Sequence, residues 1–266
     1  MATRDLILRV LEQNVDNWIA PFKTFLDERS SVFGLLGDTG KIVAEAFPIP
    51  IRKAGMQKYM IKVTIGEHAW SVKASGNLKT SHNGFAVGQA LCAAGVTNIA
   101  PPVFRWDAAI VPQGTVLHFT ASAFIEGVEL STLLNDPVLD DISLARGLIQ
   151  LLTIYAGADT HVIGGKKFIH GYLHPRQILV NTTMKWTLLD FELSTYNDPS
   201  RKIYLESSKS PASQVEELGH FLDICIRNRP ASSIKSAISK ARSDYMRQLQ
   251  PITITEFINR IAAAIP

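Results

Sequence analysis

The sequence predicts an α+β fold in two parts, a β-rich N-terminal part and a helical C-terminal part, preceded by an extra N-terminal helix. Three observations carry this expectation. Leu6, Ile7, Val10, Leu11, Val15, Trp18, Ile19, Phe22 and Leu26 recur at helical spacing, which marks an amphipathic helix of about 25 residues. Between Ile42 and Phe124, short apolar–polar alternations are punctuated by glycine, the pattern of half-buried strands. From Glu129 onward the apolar period lengthens to that of helices, broken by one β-rich interlude from Phe168 to Asp190. The boundary is expected near residues 125–130, giving an N-terminal helix over 1–30, a β-rich part over 31–127 and a helical part over 128–266.

Individual elements follow from local chemistry. Ile42 to Phe47, Tyr59 to Ile65 and Ala69 to Lys73 read as strands, and Gly66-Glu67 reads as a hairpin turn between the last two. The run TSHNGFAVGQALCAA over 80–94 reads as a helix closed by Gly95. Strands are expected at Val103 to Trp106 and Val116 to Phe124. Residues 141–157 carry a strong apolar stripe, and Ile178-Leu179-Val180 and Trp186-Thr187-Leu188-Leu189 read as two short strands. Helices are expected over 214–227, 232–248 and 254–264, the last opened by a Thr253–Glu256 capping box.

Composition excludes several function classes. With 46% hydrophobic residues the chain has ample apolar surface to offset the entropy of ordering, so it is not disordered. A net charge of +3 over 266 residues gives no field to steer nucleic acid. The N-terminal run MATRDLILRVLEQNVDNW carries charges every few residues, so it reads as neither a secretion signal nor a membrane span. Cys92 and Cys225 each lie among apolar neighbours and read as reduced core thiols. A protein of a reducing, cytoplasmic compartment, without nucleic-acid or membrane partners, is the expectation.

The most informative run is FIHGYLHPRQILVNTTMKWTLLDFELS, residues 168–194. His-Gly-x-Leu-His-Pro, a strand, a turn and Asp190-Phe191-Glu192 resemble the catalytic and metal-binding loops of the protein-kinase-like fold. The nearest branch is that of the aminoglycoside and choline phosphotransferases. The resemblance implies a two-lobed kinase-like α+β fold. Ser71-Val72-Lys73-Ala74 is similar to the third strand that supplies the ATP-phosphate lysine. Phe124-Ile125-Glu126-Gly127 is similar to the hinge that takes adenine by its backbone, and Gln214 to Ile224, with Gly219, resembles the central helix of the C-terminal lobe. By this resemblance Lys73, Phe124, Ile125 and Glu126 bind ATP, and Asp190, with Gln177, holds magnesium.

The departures bear on activity. Tyr172 stands where the family has its catalytic Asp, Gln177 stands where it has a magnesium-binding Asn, and the 80–95 helix has no Asp or Glu to pair with Lys73. A phenol is a poor general base at neutral pH, and the extra methylene of glutamine displaces its carbonyl oxygen. The expectation is a pseudokinase that binds or regulates and keeps ATP with magnesium. The alternative is an atypical active phosphotransferase in which His174 or Glu192 replaces the base and Asp190 alone anchors the metal. Each residue also has a plain structural reading: a solvated strand lysine for Lys73, a turn cap for Asp190, a bracing role for His170, a neutral hydrogen-bonding role for His174 and a solvent-facing side chain for Glu192. The glycines Gly34, Gly37 and Gly40 before Lys41 lack the Walker A spacing and read as a turn. The mostly apolar surfaces of the N-terminal helix and of the 80–95 helix, the latter without an acid where a kinase needs one, are expected to dock a protein partner.

Overall fold

The computed structural model describes residues 9–33, 42–46, 58–110, 114–160, 167–196, 213–227, 229, 232–247 and 253–265. Within them the protein is a mixed α+β structure with antiparallel sheets and several helices. Gly34, Gly37, Gly40 and Lys41 of the glycine run, Phe47, and most of the polar stretch after Ser194 lie outside the described residues. The chain divides into two compact units, Met1–Gln89 with Pro101–Ile125, and Ala90–Ala100 with Glu126–Pro266.

In the first unit, α1 (Val15–Asp27) follows helical residues 9–13, with a break at Asn14. The single helix expected from the apolar period is therefore interrupted. The break is local: Asn14 leaves helical dihedrals at φ −120°, ψ 32°. While its N–H keeps the helical bond to the Val10 carbonyl at 3.0 Å, its side-chain amide donates to that same carbonyl at 3.0 Å, the local side-chain bonding by which asparagine disfavours helix interiors. Trp18 Nε1 donates to the Leu11 carbonyl at 2.7 Å and ties the two pieces together. A short helix, α2 (Ser30–Phe33), follows.

The sheet of this unit has five strands: β1 (Ile42–Ala46), β2 (Lys58–Ile65), β3 (His68–Ser75), β4 (Pro102–Ile110) and β5 (Thr115–Ala123). Their spatial order is β1-β2-β3-β5-β4, all neighbours antiparallel. Gly66-Glu67 closes the β2–β3 hairpin, with Ile65 opposite His68 and Gly66 at φ 60°, the left-handed geometry a two-residue turn requires. Alternation then sorts the side chains. Tyr59, Ile61, Val63, Trp70, Val72, Ala74, Leu117, Phe119 and Ala121 share one buried face with Trp18, Ile19, Phe22 and Leu26 of α1. Aromatic rings dominate the contact: Trp18 lies over Phe119 at 5.0 Å, Phe22 over Trp106 at 5.5 Å and Phe25 over Phe104 at 4.3 Å between centroids. Each such pair adds about 0.5–1.5 kcal/mol beyond area burial. From Leu11 to Leu26 the apolar stripe of the N-terminal helix is thus core, while Leu6 and Ile7 lie outside the described residues. This corrects its expected role as a docking face.

Helix α3 (Leu78–Ala93) lies between β3 and β4 in the chain. Gly95, at φ 73°, ends it as expected: the Gly95 and Val96 N–H groups return to the Cys92 and Leu91 carbonyls, the paired bonds of a Schellman cap.

The second unit is built on α5 (Asp141–Thr160), α6 (Gln214–Arg227), α7 (Ser233–Arg247) and α8 (Ile254–Ala262). Before α5 come β6 (Val128–Glu129) and the one-turn α4 (Leu130–Leu133). Between α5 and α6 lie β7 (Phe168–Ile169), a 3-10 turn (Pro175–Gln177), β8 (Ile178–Val180), β9 (Trp186–Leu188) and β10 (Thr195–Tyr196). One small sheet runs β6-β8-β9, and β10 pairs with β7. The segment after α3 joins the free side of β9: Leu188 N–H donates to Asn98 O, and Ala100 N–H to Leu188 O, both at 3.0 Å. Gly147 of α5 faces the buried Trp186 ring with no room for a Cβ. Thr253 Oγ1 accepts from Glu256 N–H at 3.1 Å, while the Glu256 carboxylate pairs with Arg260, so half of the capping box forms. Among the described residues, no helix is long and apolar enough to cross a membrane.

Candidate functional site

The loops around 168–177 and 189–194 are held by side chains of the helices beside them in the second unit. Glu217, 4% exposed, accepts three hydrogen bonds: from His170 N–H at 2.8 Å, Gly171 N–H at 2.7 Å and Tyr155 Oη–H at 2.7 Å. Burial and the adjacent Glu217 carboxylate push the Tyr155 hydroxyl well above its ordinary pKa, so it stays a donor. A second tie lies alongside. Asp159 Oδ1 accepts from Phe168 N–H at 2.9 Å and from the Gln214 amide at 3.0 Å, and the same amide reaches the Phe168 carbonyl at 3.0 Å.

Gly171 sits at φ 84°, against the Leu193 carbonyl. A side chain there is excluded both by the dihedral and by the close backbone. His170 is fully buried, its Nε2 2.7 Å from the Leu189 carbonyl. A carbonyl partner requires the proton on that nitrogen. Ser194 Oγ donates to the His170 carbonyl at 3.0 Å. The two loops therefore lock to each other through His170, Gly171, Leu189, Leu193 and Ser194.

On this frame, Tyr172 is 45% exposed and its ring lies parallel to that of His174, 6.2 Å away. His174 caps the 3-10 turn, Nδ1 accepting from Arg176 N–H at 3.2 Å. Gln177 and Asp190 stand at one end of the β8–β9 hairpin. Ile178 pairs with Leu188, and one step further Leu189 N–H donates to the Gln177 carbonyl at 2.8 Å. Asp190 adopts φ 61°. A non-glycine residue in this region costs about 1–2 kcal/mol, and such strain persists where the surroundings over-determine it, commonly at functional positions. Its carboxylate lies 3.5 Å from Glu192 N–H, at the limit of a hydrogen bond. Glu192 is 4% exposed, which corrects the solvent-facing reading of its side chain.

The remaining site residues lie on the first unit, apart from Glu126. Lys73 is on β3, opposite Met60 of β2 and Thr120 of β5, on the sheet face turned away from α1. Helix α3 brings a hydroxyl to this face: Ser81 Oγ is 3.3 Å from Thr120 Oγ1. Phe124 continues the sheet, its N–H donating to Ala69 O at 3.0 Å, with Lys62 Nζ 4.7 Å from its ring centroid. Ile125 ends the first unit and Glu126 opens the continuation of the second. Gly127 follows, where a Cβ would press on the Val180 carbonyl at 3.0 Å.

Glu217 was not singled out from the sequence, although a signal was present. Gln214, Glu217, Leu218, Phe221, Leu222 and Cys225 form one buried stripe of α6, and two polar residues on an apolar stripe must meet buried donors or acceptors. Among the described residues, no cluster of three or more His, Cys, Asp or Glu could hold a metal ion. No protein-family model matches the chain, and no curated protein matches it.

Proposed function

We propose that the chain is a kinase-like protein with a degenerate phosphotransfer site, a pseudokinase that acts by binding and keeps the capacity to hold ATP. The observation that carries this reading is the order of parts. A five-stranded antiparallel sheet has a helix between its third and fourth strands and Lys73 on the third. It is followed by a buried His-Gly loop, a short hairpin and a strained Asp190 at that hairpin's end. Phosphoryl transfer rests on positioned charge and metal. Lys73 and Asp190 are residues of the right chemistry. Tyr172 supplies no base, and α3 carries no Asp or Glu in the place of the family's lysine-pairing carboxylate.

Two oxygen donors, Asp190 and Gln177, suit a magnesium ion that keeps most of its water and is held weakly. When bound, ATP with magnesium would supply a transferable phosphoryl group. Lys73 would neutralise phosphate, the Phe124–Glu126 backbone would offer hydrogen bonds to a base, and no residue at the Tyr172 position would take up a proton. The active alternative is less well supported. Glu192 is buried, and one ring nitrogen of His174 is committed to Arg176 N–H.

Thermal shift separates these readings. ATP with magnesium should raise the melting temperature, a chelator should reduce that shift, and Lys73→Ala and Asp190→Ala should each remove it. Steady-state ATP turnover should stay at background in the natural sequence and appear when Tyr172→Asp and Gln177→Asn are combined. Phosphotransfer by the unaltered chain would overturn the pseudokinase reading, and no shift with any nucleotide would overturn ATP binding.

A further inference from the structure

The outer edge of β4 ends the sheet of the first unit, and among the described residues no strand pairs with it. Such an edge presents unpaired N–H and C=O groups, and proteins blunt it with proline, bulges or charge. Here Pro102 and the irregularity between Pro102 and Phe104 protect only the start. From Phe104 to Ile110 the register against β5 is continuous.

The two charges on this stretch are arranged for self-recognition. Arg105 and Asp107 lie two residues apart, hence on one face, with side chains 18% and 45% exposed. Phe104, Trp106 and Ala108 lie on the α1 side, where Trp106 Nε1 is fixed by the Trp18 carbonyl at 2.6 Å. Consider a second β4 laid antiparallel with the two-fold axis at Trp106. Arg105 then faces Asp107 of the other copy, Asp107 faces its Arg105, and Phe104 faces Ala108. Moving the axis to Arg105 or to Asp107 sets like charges directly opposite, which is destabilising. Only the axis at Trp106 sets the opposite charges face to face, so the charge pattern favours that register.

We propose that two copies of this chain pair through β4 in that register, continuing the five-stranded sheet of one into that of the other. Only Phe104 to Ala108 pair regularly across the axis, a contact smaller than the interface of a stable dimer. The association is accordingly weak and concentration-dependent.

The test is sedimentation equilibrium of the full chain across micromolar to submillimolar concentration. The natural sequence should dimerise, and Arg105→Asp and Asp107→Arg should each weaken dimerisation at least about tenfold. The double variant should recover it, because the swap restores opposite charges across the axis. Circular dichroism guards against misfolding, and the local Asp107 contacts to Arg105 and His118 are exposed pairs of small worth. Faster-exchanging amides over 104–108 on dilution would localise the contact. A monomer at every concentration overturns the proposal. So does a dimer indifferent to both single variants, or a double variant no better than either single one.

Discussion

The sheet of the first unit and the loop pair of the second are stabilised by opposite means. Around β2, β3 and β5 the contacts are apolar: α1 lays Trp18, Ile19, Phe22 and Leu26 on a face of aliphatic and aromatic side chains. Around residues 168–194 the ties are polar and directional, with Glu217, Asp159 and Gln214 each receiving or making bonds to backbone groups. Apolar contacts adapt and add gradually, whereas a buried carboxylate either meets its donors or leaves them unsatisfied. The sheet thus carries the bulk of its unit's stability, and the loops are held to one shape by a few groups.

The largest test of this contrast is Phe22→Ala. Removing a fully buried ring should cost about 3–5 kcal/mol, read by chemical denaturation. Hydrogen exchange should accelerate in β2, β3 and β5 and leave the amides of His170 and Gly171 protected. Equal acceleration in both places would mean a single cooperative unit and end the comparison. Next comes Glu217→Ala, which strands two backbone donors and the Tyr155 hydroxyl. A loss of about 3 kcal/mol is expected, with the reverse exchange pattern: His170 and Gly171 exposed, the sheet unchanged.

The smallest effect is at the start of α5. Asp140 caps it, with Oδ1 accepting from Ser143 N–H at 2.6 Å, and the Ser143 backbone and hydroxyl hold its carboxyl below the usual range. Because the folded pKa lies below the unfolded one, this contribution is present above about pH 4 and disappears as the pH falls through the folded value. Asp140→Ala should cost about 1 kcal/mol at neutral pH. The gap in melting temperature from the natural sequence should close on acidification. A gap that stays constant down to strong acid would show that the charge plays no part.

The same contrast explains what could be read from the residues. Alternation and glycine marked the hairpin at Gly66, the cap at Gly95 and the limits of α6, because burial and backbone freedom leave local traces. The extension of β4 through Asp107-Ala108-Ala109 was not legible, since these residues favour strands weakly and pairing with β5 decides the matter. Likewise, the break at Asn14 lies in its own dihedrals and its side-chain bond to the Val10 carbonyl, which no periodicity records. At the candidate site, the residue types at Tyr172, Gln177 and Asp190 were legible. The strained dihedral of Asp190, the burial of Glu192 and the role of Glu217 were not, because each depends on partners distant in the chain.

The pairing of Asn98 and Ala100 with Leu188 bears on the order of assembly. During synthesis the five strands of the first sheet are complete once Ala123 has emerged. Residues 98–100 belong to the other unit and must wait almost ninety residues for β9 to satisfy them. Until then the Asn98 carbonyl and the Ala100 N–H are open to water or to a chaperone. No single cut between Ile125 and Glu126 yields a self-sufficient C-terminal fragment, because that fragment would lack the segment that edges β9. The chain forms two compact units, but they are not two genetic pieces.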